Sequence, residues 1–574
     1  MRALRARFPV IVTLLAITAL VVPGAAVHAQ NNPKVFRIAS TEEPPILIDY
    51  FDVGPAFLPM RIFMQPQWAK LPDGRVVPTL IDELPSEQNG GLSQTADGKS
   101  VIKFRIADWA IWSDGQPIVA DDFKLVFDVA TDGVSNLRAS YRFIYGAKVE
   151  SIAQGATDKD VVITFAGPQP EWANAWILPL PAHVLRAPYE ALLKDHKGMD
   201  TMVDWLRAPT VGNGPYVFAE WQSGQFVRFT RNPKYWKTPY FDEVVVSFYP
   251  DANVLKQLLA SGDSDFNAFD IPFLQAYDLA NQNPNTVQLQ TPFEGERVEL
   301  EMNQGPKGFP ALKDLNVRKA IEMGIDRQYI VDNLYDGKTE VPHSYWDGTA
   351  WYNPNTPFFG YDPDGAKNLL RQAGWYDDTG DGVAKAHGVA GVDDGTPLVL
   401  KAATLASTDS SEYENTLLTV QEMLGKIGVK ISGIDTFNLG VFYGPVSSGG
   451  PYATGAYDLY LMHWATGVDT INQFQLYGCA DIPSDRNPGG ENGSQFCDPE
   501  IDQNWKLLGT AMNPDDRQNA VNQIQNIIAD KVYTIYMVKR TTALVLNKNI
   551  QGFVWGGFAG NPLISLADMT RAGS

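Results

Sequence analysis

Along the chain, short runs in which apolar and polar residues alternate are separated by stretches with an apolar residue at every third or fourth position. Alternation at period two marks a strand, and the 3.6-residue period marks an amphipathic helix. Strands are predicted over KVFRIAS (34–40), VIKFRIAD (101–108), DVVITFAG (160–167), QFVRFTRN (225–232) and EVVVSFYP (243–250). Helices are predicted over DDFKLVFDV (121–129), with Phe123, Val126 and Phe127 on one face behind an acidic start, and over ANVLKQLLASGD (252–263), stopped by Gly262. VRKAIEMGID (317–326) and ENTLLTVQEMLGKIG (414–428) are two more, the latter ending at Gly428 before the strand VKISGID. Helix-to-strand steps of this kind are halves of βαβ units, so the fold class is α/β. The section from about Leu300 to Asp530 reads as one compact lobe. Its boundary strands, ERVELEMNQ on one side and YTIYMVKRTTALVLN (533–547) on the other, are crossover candidates. A lobe joined to another by two strands can hinge.

The apolar run at the N-terminus has a different character. Arg2, Arg5 and Arg7 precede an apolar stretch from Val10 to Val22, then a Pro23-Gly24 break and small residues at Val27 and Ala29. That is the layout of a secretory signal peptide over residues 1–29, with removal expected after Ala29. The run is shorter than the roughly 20 residues that span a bilayer as a helix. No Cys stands at the cleavage point, so no lipid anchor is expected. Periplasmic or extracellular localisation follows. Loss of the three arginines takes the formal charge from −20 to −23, an acidity that argues against a nucleic-acid partner. Export also sets the redox context: Cys479 and Cys497 are the only cysteines and share a Gly/Pro/Asn-rich loop. A disulfide is expected there. The sequon Asn492-Gly493-Ser494 lies in the same loop.

Catalytic chemistry finds no foothold. GNGPYV (212–217) lacks the third glycine of a phosphate loop, and no GxSxG, HExxH or GxxxxGK[ST] occurs. The histidines are scattered, with no second His or Cys at ligand spacing, so no cofactor or structural metal is expected. One weak Ca2+ candidate is the turn Asp377-Asp378-Thr379-Gly380-Asp381-Gly382, where Asp377, Thr379 and Asp381 stand at positions 1, 3 and 5 of an EF-hand-like loop. Position 12 is Gly388 in place of the bidentate Glu, and a polar hairpin turn is the competing reading.

Five blocks then carry a family likeness. ADWAIWSDGQPIVADDFKLVFDVA (107–130) resembles the signature of the extracellular solute-binding proteins of family 5, receptors of ABC importers. VGNGPYVFAEWQSGQFVRFTRNPKYWKTPYFDEVVVSFYPDANVLKQLLASGDSDF (211–266) is similar to that family's most regular stretch. NVRKAIEMGIDRQYIV (316–331), YDPDGAKNLLRQAGW (361–375) and YDLYLMHWATGVDTI (457–471) continue in family order. The resemblance implies a fold of the type II periplasmic-binding-protein kind: two lobes, an extra domain inserted in the first, and two hinge crossovers. On that reading residues 30–75, 206–297 and 530–574 form lobe 1, 76–205 the inserted domain and 298–529 lobe 2. It also implies ligand capture by hinge closure, delivery to membrane permease and ATPase subunits, a monomeric receptor and no enzymatic step.

The same resemblance places the cleft around Trp464. In oligopeptide-binding relatives an Asp three residues after this Trp pairs with a peptide's free amine; here that position is Gly467, and the nearest carboxylate, Asp469, is displaced by two. A basic residue three before the Trp, which in some relatives meets a ligand carboxylate, is here Leu461. Thr466, Gly467 and Asp469 are therefore expected beside the ligand with Trp464, and Tyr141 and Tyr145 are expected to face it from the inserted domain. Trp346, in the aromatic loop SYWDGTAWYN with Trp351 and Tyr352, is a further candidate platform. Peptide is the expected cargo. An oligosaccharide is the alternative suggested by the missing Asp, and an exported hydrolase is the alternative of another class.

Overall fold

The computed structural model describes residues 33–51, 57–137, 148–268, 270–292, 296–406, 410–444, 449–465, 476–484, 487, 490–540, 542–557 and 561–573. The alternating segments form the strands expected of them. Val35–Ser40 runs parallel to Glu243–Phe248, and the register sets Phe36 beside Val244 and Ile38 beside Val246, all inside the core. These two strands sit within a seven-stranded sheet ordered Val287–Gln290, Leu544–Asn547, Phe266–Ala268, Val35–Ser40, Glu243–Phe248, Phe226–Arg231 and Tyr216–Gln222. Helix Ala252–Ser261 starts on the Asp251 side chain, which accepts the Asn253 amide, and stops at Gly262, whose φ of 82° is the left-handed conformation that glycine tolerates.

A four-stranded antiparallel sheet, ordered Leu92–Gln94, Ser100–Arg105, Asp160–Phe165 and Val149–Gln154, packs against helix Ala120–Thr131. Phe104 meets Phe123 edge-on at 5.5 Å. At the start of that helix Asp122 is buried, and its carboxylate accepts the amides of Val119 (2.8 Å) and Ala182 (2.7 Å) and the indole N–H of Trp112 (3.0 Å). Burial outweighs these bonds and pushes its pKa up to about 6.

The second large sheet is five-stranded, ordered Lys430–Asn438, Val399–Ala406, Leu459–Ala465, Glu296–Met302 and Thr534–Arg540. The first three strands are mutually parallel and the last two pair antiparallel. Helices Leu315–Gly324, Pro363–Gln372 and Ser410–Gly425 cover one face, and Pro499–Thr510 and Pro514–Asp530 cover the other. Two sheets with helices on their faces, a small third sheet and two chain passages make a type II periplasmic-binding-protein fold.

The predicted strand 533–547 is two strands. Thr534–Arg540 pairs with Glu296–Met302 in the five-stranded sheet, whereas Leu544–Asn547 pairs with Val287–Gln290 in the seven-stranded one. The chain therefore returns to the larger sheet only at Leu544, not at 530, and the expected limit at 297/298 falls inside a strand of the smaller sheet. The limit at 75/76 divides a hairpin, because Val76–Pro78 pairs with Trp68–Lys70. The two passages start and finish side by side. Gln290 lies opposite Leu544 and Glu296 opposite Arg540, so the same two stretches of chain pair antiparallel in both sheets.

Candidate functional site

In open α/β sheets ligands bind beyond the carboxyl ends of the parallel strands. Here that edge of the five-stranded sheet holds the end of Leu459–Ala465, the start of Glu296–Met302 and the end of Thr534–Arg540, next to the two passages. On one face, His463 Nδ1 accepts from Arg540 Nη1 at 3.0 Å and is in hydrogen-bond contact with the Tyr413 hydroxyl. Nδ1 is thus the unprotonated nitrogen, and the neutral ring carries its hydrogen on Nε2. Burial, with Arg540 alongside, holds the pKa of His463 down to about 3, so it stays neutral at physiological pH. Arg540 Nε lies 3.6 Å from Glu296 Oε2.

Trp464 points to the opposite face. Its Nε1 donates to Glu301 Oε1 at 2.9 Å, and the half-buried ring touches two aromatic clusters. One holds Tyr345, Tyr477 and Tyr536, the other Tyr452, Tyr457 and Tyr460. Beneath them Arg297, Glu299 and Glu301 form a file along one strand, all buried. Arg297 Nη1 donates to the Glu296 carbonyl at 2.7 Å, and Glu299 accepts from Thr534 Oγ1 at 3.3 Å. Burial lowers Arg297 to about 10 and raises Glu301 to about 8. Glu299 stands well above the usual carboxylate range, through burial and then through Glu301. Among the described residues, one oxygen of each glutamate, Glu299 Oε1 and Glu301 Oε2, has no hydrogen-bond partner.

The other expected ligand residues fall into two groups. Thr466, Gly467, Asp469, Tyr141 and Tyr145 lie outside the described residues. Trp346 is fully buried, 6.0 Å from Trp505 and 6.4 Å from Tyr477, so its place is among the aromatic side chains that pack helices Pro499–Thr510 and Pro514–Asp530 onto the sheet. Trp351, five residues on, lies under the Arg517 guanidinium at 4.7 Å. Leu461 is also fully buried. In the turn 377–382, Asp377 accepts the amides of Thr379, Gly380 and Gly382, and Asp381 pairs with Lys385 Nζ at 2.7 Å. Those oxygens cap a turn. Among the described residues no group of three or more His, Cys, Asp or Glu side chains could hold a metal ion.

Cys479 and Cys497 form a disulfide. Within its loop Asn492 is fully buried, its side-chain amide donating to the carbonyls of Gly478 and Phe496, so the sequon is closed to a glycosyltransferase in the folded protein.

Two contacts escaped sequence reasoning. ERVELEM alternates polar and apolar residues, but helices cover both faces of its sheet, which leaves Glu299 and Glu301 interior. The second is a bridge far apart in sequence. Glu171 takes Lys70 Nζ at 3.4 Å and Arg517 Nη2 in ion-pair contact, the latter without hydrogen-bond alignment. Trp172, next to Glu171, packs on Trp68, which meets Phe104 of the four-stranded sheet at 5.4 Å within the core that the seven- and four-stranded sheets share, whereas Arg517 sits in a helix on the five-stranded sheet.

A hinge ribbon between two α/β sheets, with a polar and aromatic edge beside it, defines a two-lobed solute-binding protein. The family model "Bacterial extracellular solute-binding proteins, family 5 Middle" matches residues 75–481, and the chain belongs to this family. Oligopeptide-binding protein AppA of Bacillus subtilis (strain 168) is 24% identical over 530 residues, which cover 90% of this chain and 88% of that protein. Its structure with a nonapeptide matches at TM-score 0.67 and 21% identity, over 94% of this chain and 100% of that one. An oligopeptide-binding protein from Thermus thermophilus with a pentapeptide matches at TM-score 0.71 and 19% identity, over 94% and 96% of the two chains. NikA from Brucella suis with Fe(III)-EDTA matches at TM-score 0.74 and 18% identity, over 94% and 99%. Among the described residues no helix is long and apolar enough to cross a membrane.

Proposed function

We propose that this protein is the exported, monomeric receptor of an ABC importer, closing its two lobes on a peptide and presenting it to the permease and ATPase subunits. The observation that carries the reading is the near full-length correspondence, over 90% of this chain, with an oligopeptide-binding protein. The ligand contacts are Trp464 with Thr466, Gly467 and Asp469 directly after its strand, and Tyr141 and Tyr145 from the inserted domain. Closure is driven by contacts made only in the closed arrangement, and the paired passages supply the hinge. No bond is broken in the cycle.

A second reading, a solute other than a linear peptide, is favoured by one observation. Leu461, where a basic residue would meet a ligand carboxylate, is buried and apolar. Native mass spectrometry of gently purified protein separates the two: retained peptides support the first, and a hexose ladder or a metal chelate overturns it. Thermal shifts with free and N-acetylated pentapeptides test Asp469 as the amine anchor. Acetylation should abolish the stabilisation, and equal shifts would remove Asp469 from that role.

A further inference from the structure

We propose that Glu301 is a positioning residue for the binding site: its buried carboxyl fixes the indole of Trp464, and the disulfide-bonded loop 479–497 fixes Glu301 in turn through Gly493. The significance for ligand binding rests on the reading above; the positioning itself does not.

The register makes the Trp464–Glu301 bond unusual. Trp464 lies opposite Arg297 on the neighbouring strand, and Glu301 lies opposite Tyr460. The two residues are therefore offset by four positions, roughly 13 Å along the strands. A direct bond of 2.9 Å across that offset requires both side chains to lie down along the sheet toward each other. A tryptophan on a strand otherwise stands roughly perpendicular to it. The indole has one polar atom, so one acceptor selects its ring flip and tilt. Glu301 is that acceptor, and it draws the indole back along its own strand toward the position of Tyr460.

The carboxyl is itself held by exclusion. A Cβ on Gly493 would come within 2.3 Å of Glu301 Oε2 and 2.4 Å of Tyr452 Cε2, so only glycine lets the loop close over the acid. The loop backbone at this point is tied to the same lobe. Ser494 C=O accepts the Gln304 amide at 2.8 Å, and Gly493 C=O accepts the Tyr457 hydroxyl at 2.7 Å. Asn492 clamps the loop from within, and Cys479–Cys497 closes it. Among the described residues Glu301 Oε2 finds no hydrogen-bond partner, which is a cost to folding. An apolar side chain of that size would avoid it. The bond Glu301 does make goes to the tryptophan of the cleft.

The test uses the full mature chain labelled with 5-fluorotryptophan, with Trp464→Phe to assign the 19F resonance of Trp464. Glu301→Gln keeps a carbonyl acceptor and should leave that resonance in place; Glu301→Leu and Gly493→Ala should move or broaden it. Affinity for a pool of synthetic pentapeptides should fall about five- to tenfold in Glu301→Leu, the worth of one buried hydrogen bond, and stay within about twofold in Glu301→Gln. In a Trp464→Phe background, Glu301→Leu should have no further effect on affinity. An unmoved Trp464 resonance in Glu301→Leu overturns the proposal, as does a moved resonance with unchanged affinity in protein that binds the pool. Should Glu301→Leu not fold, Gly493→Ala decides by the same resonance. Wild-type protein that binds no peptide overturns the cargo reading alone, and the resonance still judges the positioning.

Discussion

The bridge between Glu171 and Arg517 should weigh directly on the balance between open and closed arrangements. Glu171 is attached through Trp172 to the core shared by the seven- and four-stranded sheets, and Arg517 belongs to a helix on the five-stranded one. Their side chains are 15% and 7% exposed, between the extremes for which ion pairs have been calibrated. Exposed pairs contribute about 0.2–1 kcal/mol, and breaking a fully buried pair costs about 3–5 kcal/mol. Glu171→Gln leaves Arg517 with the Leu508 carbonyl at 3.1 Å and the Trp351 face, so the guanidinium keeps part of its shelter. The expected loss to the arrangement seen here is about 2 kcal/mol, or roughly 30-fold in the equilibrium between lobe positions. Spin labels at the exposed positions Val254 and Leu507, one on each lobe, would report the distance distribution of ligand-free protein by electron double resonance. Glu171→Gln should shift weight to longer distances, and Arg517→Met should add little on top of it. Identical distributions in wild type and Glu171→Gln, or fully additive effects of the two substitutions, would refute the bridge as a determinant of lobe closure.

Replacing Cys479 and Cys497 together by Ser should lower unfolding free energy by about 3 kcal/mol, the entropy of the loop they close; urea denaturation reads this, and a change well under 1 kcal/mol would contradict it. Asp122 has a folded pKa of about 6, above its unfolded value, so its contribution is complete below the unfolded value and is lost as pH rises through about 6. The advantage of wild type over Asp122→Asn in thermal melts should therefore shrink by up to about 3 kcal/mol between pH 4 and 7, and an advantage that grows with pH would reverse the argument. Millimolar calcium should leave the melting temperature unchanged, because the oxygens of Asp377 are already taken by backbone amides; a rise abolished by Asp377→Ala would restore the turn as a cation site.

Strands with one covered face were legible because alternation and burial coincide in them, as in Val35–Ser40 and Phe226–Arg231. Helix ends were legible where the chain carries its own stop, as at Gly262. Two kinds of feature were not. Strand Glu296–Met302 has a polar alternation that signals solvent in most sheets, yet all seven positions are buried, because the second layer of helices arrives from residues 499–530. The segment 533–547 is continuous in pattern, and only its partners reveal that it belongs to two sheets. The family blocks led to Trp464, which stands near the end of its strand with its indole bonded to Glu301. They carried no information on Glu301 or Arg517, since a bond between distant segments leaves no local period.

The paired passages have a mechanical consequence. Two strands hydrogen-bonded side by side on both sides of a short interruption behave as a leaf spring: the ribbon bends across its width, while sliding one strand past the other would break ladder bonds in both sheets at once. Bending across the pair is thereby the movement that leaves both ladders intact. A one-residue deletion within 541–543 would change the phase between the sheets and so re-aim one rim of the cleft against the other, even if each lobe folded unchanged.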